Sequence, residues 1–553
     1  MTGLIASTQP WVNFGFKEGV HPLSMLLALI IPSLLLALAL DRANLWPRIA
    51  ASRRNLFGIA AVTIVLLYLA ALCTDLFSHV FIDHIEPAVT AISWLFWKGR
   101  PLYQSMAAQE RYSIPYGPYL YIFVGLSQAA LGPSIFASKL PGAMAGLIAI
   151  VVLFITIRKI SSPVRALAWT GLTAALLLGF GNISFWTRPD PFILLAVVLG
   201  MLAASLGGMG GPILLGLSLG IAVNLKIHAF AYFLPTLVLA WRRRWSIAGV
   251  LCGVVVAGAA GVLPFVLFHN ISLANYLGLL KIGGSRQFEI PICFQVLQRF
   301  LFIFLPVGVA FACAFAQGAG EVRQFAAREA VYMGAILAGF VLVLPVASLN
   351  GSGNYHLIPF IPSVAFLAAQ LPWPKWSLTG AVCKTALLAI ACAWLATCLL
   401  AGVAGFYRTV RTSVAGNARA RACEEDFQKI VQEYPGYIVL AGEGDGTTYP
   451  TTYSRYVLAF AGMPIGIDPS VQMDYDNTGH GQLDFGRLVG GIGAEYGKPV
   501  LFVIPKGSAP FSLYPEQQIF PDNFKADFAR TYMLSNSTEF FDLYKPRVAT
   551  PMP

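Results

Sequence analysis

The sequence predicts an α-helical polytopic membrane protein, with about 12 transmembrane helices, followed by a C-terminal soluble α/β domain. Three observations predict it. Apolar runs of roughly twenty residues recur through the first three quarters of the chain, raising the hydrophobic share to 57% and the mean hydropathy to +0.68. Basic residues gather in short loops between those runs. After about residue 406 the runs shorten, and Gly, Asp, Tyr and Thr increase.

The expected spans are 22–40, 56–76, 137–158, 164–182, 188–207, 211–224, 227–241, 246–268, 297–316, 329–347, 354–370 and 378–405. Arg42, Arg48, Arg53 and Arg54 follow the first, and Arg158, Lys159 and Arg165 follow the third. Arg242, Arg243 and Arg244 follow the seventh, Arg323 and Arg328 the ninth, and Lys375 the eleventh. Counted in this order, every basic loop falls on one side, which the positive-inside rule makes cytoplasmic. Asp83, the loop 269–296, the turn 348–353 and the tail then lie on the outer face. The run 117–131 becomes an interfacial or re-entrant helix, because counting it as a span would carry Arg158 and Arg165 outside. Residues 84–98 read as a short amphipathic helix with Ile85, Ala88, Val89, Ile92, Leu95 and Phe96 on its apolar side.

In the tail, helical patterning at 417–432 precedes an apolar strand at 437–441. Helical stretches near 451–461 and 482–496, a strand at 499–504 and a last strand near 539–544 complete an α/β alternation. The expected division is a membrane domain over 1–405 and an outer-face soluble domain over 406–553.

Composition excludes several classes. The formal charge of +11 sits in short loops and forms no basic stripe on a soluble domain, so no nucleic-acid partner is expected. Cys73, Cys252, Cys313, Cys383, Cys392 and Cys398 lie in or beside apolar runs, where cysteine acts as a small hydrophobe. Cys423 stands in the tail without an evident partner, and no pair has zinc-ligand spacing. Residues 1–21 lack the basic n-region of a cleavable signal, so the following apolar run is expected to be kept as a helix. Walker lysine, Gly-x-Ser-x-Gly, His-Glu-x-x-His and Rossmann motifs are missing, and Gly442-Glu-Gly-Asp-Gly446 has too few acids for a calcium loop.

Chemistry is expected where acids stand at the membrane edge. Asp83 and Glu86 follow a membrane-length run at i and i+3, so one helical face can offer both carboxylates to one substrate. The competing reading is that Asp83 caps the following helix. Trp186-Thr-Arg188-Pro-Asp190-Pro191 puts a second acid at an outer turn, where Asp190 also suits the first turn of a helix. Lys226 and His228 mark a break between short apolar segments, and a buried ammonium there needs an anionic partner. Lys281 and Arg286 lie in the loop 269–296 beside Gly283-Gly284, as a lid over an anionic headgroup or as a solvated connection. Tyr116 begins the second interfacial segment, and Tyr355-His356 precedes the eleventh span.

Together these elements resemble the GT-C superfamily of membrane glycosyltransferases, particularly the branch holding bacterial lipid A aminoarabinose transferases and protein O-mannosyltransferases. The likeness lies in an acid in the first large outer loop (Asp83 with Glu86), Gly99-Arg-Pro-Leu-Tyr103, Tyr116-Gly-Pro-Tyr119, Lys139-Leu-Pro141, Asp190-Pro191 and Asn354-Tyr-His-Leu-Ile-Pro359. Related enzymes often place the two loop acids adjacently, whereas His84 and Ile85 separate them here. The resemblance implies transfer of a hexosyl or pentosyl group from a polyprenyl-phosphate carrier to a hydroxyl on the outer face of a bacterial inner membrane, with inversion. The acceptor is then an envelope glycan or glycolipid. It further implies that Asp83 takes the acceptor's proton, with Glu86 and Asp190 supporting it, holding sugar hydroxyls or binding a divalent metal. Arg188, Lys226, Lys281 and Arg286 would stabilise the departing phosphate, and Tyr116, His228, Tyr355 and His356 would contact substrate. The alternative class is a transporter or flippase of a lipid-linked saccharide.

Overall fold

The computed structural model describes residues 22–42, 46–315, 320–371, 381–443, 448–476, 478–479, 482–512 and 519–547. The expectations at residues 1–21, at Lys375 and at 444–446 lie outside them, as do the side chains of Arg42, Arg48, Arg53, Arg54, Arg323, Cys313 and Cys383. The chain divides into two compact units, each drawn from three stretches. One comprises Met1–Asp75, Gly142–Val262 and Gln287–Val410; the other comprises Leu76–Pro141, Leu263–Arg286 and Arg411–Pro553.

The helices in chain order begin with α1 (Pro22–Arg42), α2 (Trp46–Leu76), α3 (Ile85–Trp97), α4 (Pro118–Leu131) and α5 (Ile135–Arg158). Next come α6 (Pro163–Leu178), α7 (Pro189–Ala203), α8 (Gly210–Leu225), α9 (Leu234–Arg242) and α10 (Ile247–Leu267). They continue with α11 (Leu273–Gly284), α12 (Ile290–Phe315), α13 (Gly320–Ala347), α14 (Ile361–Gln370) and α15 (Ala381–Glu433). Among the described residues, six helices are long and apolar enough to cross a membrane, within α2, α5, α10, α12, α13 and α15. This is the pattern of a multi-pass membrane protein. Val254, Val255 and Val266 of α10 are 64%, 68% and 73% exposed, which only a hydrocarbon surrounding would cover.

Two expected spans are not continuous. Residues 227–241 form a 3₁₀ helix, Ile227–Phe233, followed by α9, and residues 354–370 form a 3₁₀ helix, Asn354–Phe360, followed by α14. Pro235, Pro359 and Pro362 lack the N–H that an unbroken ladder needs, so each segment changes pitch at its prolines. The first unit is packed by side chains such as Leu26, Phe302, Trp394 and Cys398, with the Trp394 indole donating to the Phe302 carbonyl at 2.9 Å.

In the second unit α3 departs from the amphipathic expectation: every residue from Glu86 to Phe96 is buried. Its polar side chains are satisfied locally. Thr90 and Ser93 donate to the carbonyls four residues earlier, and Gln128 of α4 donates to the Thr90 carbonyl. The composition change near residue 406 coincides with no helix break, since α15 runs on to Glu433. There Ala420, Cys423, Phe427 and Ile430 form a buried stripe at helical spacing.

Beyond α15 come β1 (Ile438–Ala441), α16 (Thr448–Phe460), α17 (Pro469–Asp476), α18 (Phe485–Tyr496), β2 (Val500–Pro505), α19 (Asp522–Thr531), β3 (Tyr532–Ser537) and β4 (Phe541–Pro546). The sheet order is β1-β2-β4-β3, with β1 parallel to β2 and the other pairs antiparallel. All six residues of β2 are buried, as suits an apolar run in a sheet interior. Phe485, Phe502, Phe511, Phe524, Phe528 and Tyr532 form its aromatic core. The first large loop joins this unit through Arg111, which forms a parallel bridge with Ile467 and donates to Gln472 and to the Gln482 carbonyl.

Candidate functional site

Two clusters hold most of the expected site residues, one in each unit. In the first unit, Pro189 and Pro191 start α7 and leave Asp190 in its first turn, while Lys226 caps the C-terminal end of α8. A carboxylate at a helix N-terminus and an ammonium at a C-terminus both match the helix dipoles. The two meet directly, with Lys226 Nζ 2.7 Å from Asp190 Oδ1. The Trp186 indole donates to Asp190 Oδ2 at 3.2 Å. Asp190 thus pairs with Lys226 across 36 residues of sequence, not with its neighbour Arg188.

Aromatic rings complete this cluster. The Arg188 guanidinium lies 4.2 Å from the Trp186 ring centre and 5.3 Å from that of Tyr355, and Lys226 Nζ lies 5.1 Å from the Tyr355 ring centre. Tyr355 stacks on His356 at 4.5 Å, and His356 stands 5.0 Å from His228. Both histidines come from the 3₁₀ segments, which break the helices where these rings must turn inward. His228 Nε2 and His356 Nδ1 are buried and have no hydrogen-bond partner among the described residues. The cluster thus brings two buried cations, Arg188 and Lys226, to one turn, with Asp190 against Lys226.

The Trp186–Asp190 turn is set by close backbone approach. A Cβ on Gly142 or Gly146 of α5 would overlap the carbonyl oxygen of Trp186 or Ser184, so only glycine lets α5 lie against this turn. Tyr68 of α2 adds a hydrogen bond to Ser184 at 3.1 Å.

In the second unit, Asp83 and Glu86 are both buried and accept from backbone amides around the start of α3. Asp83 Oδ1 accepts from Ile85 N at 3.0 Å, while Glu86 Oε1 accepts from Asp83 N at 3.3 Å and Ile82 N at 3.2 Å. The residue at the N-cap of α3 is His84, without a side-chain cap bond, so Asp83 lies one residue before the cap and is not the cap itself. The arrangement also fixes the orientation of both carboxylates. Lys139 of α5 is buried and donates to the carbonyls of Ser78 at 3.3 Å and Val80 at 2.7 Å, pinning the segment that leads to Asp83.

The remaining expected residues lie elsewhere. Arg286 binds Asp474 through Nε and Nη2, at 2.8 and 2.5 Å, as a bidentate pair. Lys281 is exposed in the last turn of α11, and the Tyr116 carbonyl accepts from the Tyr103 hydroxyl at 2.6 Å. Among the described residues, no three His, Cys, Asp or Glu side chains are grouped as a metal ion would need. Sequence reasoning missed Trp186 as a site residue, although its motif was noted. It also missed Lys139, whose Lys-Leu-Pro motif was the signal.

No protein-family model matches the sequence, and no curated protein matches it significantly. Among solved structures, the chain is similar to ArnT from Cupriavidus metallidurans bound to undecaprenyl phosphate, with 14% identity, a TM-score of 0.53, and coverage of 89% of this chain and 98% of that one. It is likewise similar to ArnT from the same organism in the apo state, with 15% identity, a TM-score of 0.54, and coverage of 87% and 97%. The chain shares its fold with these ArnT structures.

Proposed function

We propose that the protein is a glycosyltransferase that takes a hexosyl or pentosyl group from a polyprenyl-phosphate carrier and passes it to a hydroxyl of an envelope glycan or glycolipid, with inversion. The observation that carries this reading is the buried cluster of Arg188 and Lys226 on Tyr355, with the nitrogens of His228 and His356 beside it. Cations held in place before reaction stabilise the charge that develops on a departing phosphate. Asp190 fixes the Lys226 ammonium in place at 2.7 Å. The fold shared with ArnT supports the same reading, since that protein was crystallised with undecaprenyl phosphate.

Asp83 is the proposed base for the acceptor hydroxyl, with its carboxylate oriented by the Ile85 amide and with Glu86 as its support. The proposed setting is a bacterial inner membrane, with residues 1–405 carrying the chemistry and residues 406–553 on the periplasmic face. The test is transfer of label from polyprenyl-phosphate sugars by purified protein. Wild type should transfer, and Asp83→Asn should not.

A second reading, a transporter of a lipid-linked saccharide, gains weight from one feature. The Asp190–Lys226 pair lies beside two interrupted helices, a common construction at transporter sites. Proteoliposomes separate the two: a transporter moves the labelled lipid between leaflets with no acceptor present and leaves its glycosidic bond intact.

A further inference from the structure

The segment carrying Asp83 is held by a residue from far along the chain. Arg455 of α16 is buried, and its Nη1 donates to the His84 carbonyl at 3.4 Å, one residue from Asp83. The same nitrogen stands 2.9 Å from Asp468 Oδ2, and Nη2 stands 3.9 Å from Glu443 Oε1. The flanking residues of α16 grip the same segment. Tyr456 meets Phe81 edge to face at 5.7 Å, and Phe460 meets Trp94 at 6.1 Å. One helix therefore contacts the chain on both sides of Asp83.

We propose that Arg455 is a positioning residue for Asp83, holding the His84 carbonyl so that the Asp83 and Glu86 carboxylates keep their hydrogen bonds to the amides of Ile82, Asp83 and Ile85. That Asp83 is the reactive carboxylate rests on the function proposed above; the positioning itself does not.

The anions around Arg455 give the contact a pH dependence. Asp468 Oδ1 accepts from Ser470 N and Val471 N, which hold this carboxylate in place beside Arg455. Both Glu443 oxygens are buried without a hydrogen bond among the described residues. Burial first, then the Asp468 charge, raises Glu443 to about 8, against the lowering effect of Arg455. Among the described residues, Arg455 and Asp468 are the charged groups facing Glu443. Below that pH Glu443 is neutral and Arg455 is balanced by Asp468. Above it, a second anion competes with the His84 carbonyl for the guanidinium.

The amides of Ile82, Asp83 and Ile85 donate to the two carboxylates, so their hydrogen exchange reports the geometry without any substrate. The experiment follows exchange in the 81–87 segment of the full-length protein in lipid nanodiscs, with β2 as the internal reference. Arg455→Met/Asp468→Asn removes the cation without stranding a buried anion. It should speed exchange in 81–87 about tenfold, as expected for loss of one charge-assisted bond, and leave β2 unchanged. Arg455→Lys should restore most of the protection. In wild type, protection of 81–87 corrected for intrinsic exchange should fall as pH rises through 8, and Glu443→Gln should abolish that fall. Unchanged exchange in the double variant, or a pH effect that persists in Glu443→Gln, overturns the proposal. If the exchange results hold while wild type transfers no sugar, the positioning stands and the glycosyltransferase reading fails.

Discussion

Asp83 and Glu86 do structural work whatever their chemical role, because each carboxylate satisfies backbone amides at the start of α3. Asp83→Asn keeps an oxygen for Ile85 N but loses basicity. Sugar transfer should fall about 10²- to 10⁴-fold with donor binding unchanged, as read by steady-state kinetics beside equilibrium binding. The Asp190–Lys226 pair makes a different prediction. Asp190→Asn or Lys226→Met alone strands a buried charge and should cost about 3–5 kcal/mol, whereas Asp190→Asn/Lys226→Met should fold nearly as well as wild type in denaturant or thermal unfolding. Glu443 offers a pH test. Its folded value of about 8 lies above the ordinary 4.5, so between those pH values the folded chain keeps a proton that the unfolded chain loses. The stability contributed by this group therefore falls as pH rises across that window. Glu443→Gln should raise the melting temperature more at pH 8 than at pH 5. The sequence made Asp83, Asp190, Lys226 and His228 legible because charge beside apolar runs is conspicuous. It could not reveal that Arg286 is taken up by Asp474, or that Arg455 contacts His84, since these contacts join residues 188 and 371 positions apart.

Most helices were readable because apolar runs and basic loops bound them. The strands at β1, β2 and β4 were readable as short apolar runs. Elements escaped where the pattern was weak: β3 is exposed along nearly its whole length, α17 has 8 residues, and α19 is short and polar on one face. The two 3₁₀ breaks escaped because hydropathy does not register a change of pitch. The turn carrying Trp186 and Asp190 depends on two glycines one helical turn apart on α5. Gly146→Ala should force that backbone contact apart at about 1–3 kcal/mol of stability, measured by thermal unfolding. It should also weaken binding at Arg188, because the Trp186 ring beneath the guanidinium would shift.

At the scale of the whole chain, the fold was legible without any family model, and 14–15% identity to ArnT across nearly its full length shows how little sequence that fold requires. Hydrophobic pattern and the order of a few turns persist where individual residues do not. The interleaving of the two compact units was not legible, because a composition boundary is linear while each unit gathers three separate stretches. The proposed role of Arg188 and Lys226 is to bind the carrier's phosphate. Its most direct test is equilibrium binding of undecaprenyl phosphate, with undecaprenol as control, to wild type, Arg188→Met and Asp190→Asn/Lys226→Met in nanodiscs. Wild type should bind the phosphate selectively, with a loss of about 10- to 100-fold in each folded variant. Equal affinity for undecaprenol, or variants that bind the phosphate as wild type does, would contradict it.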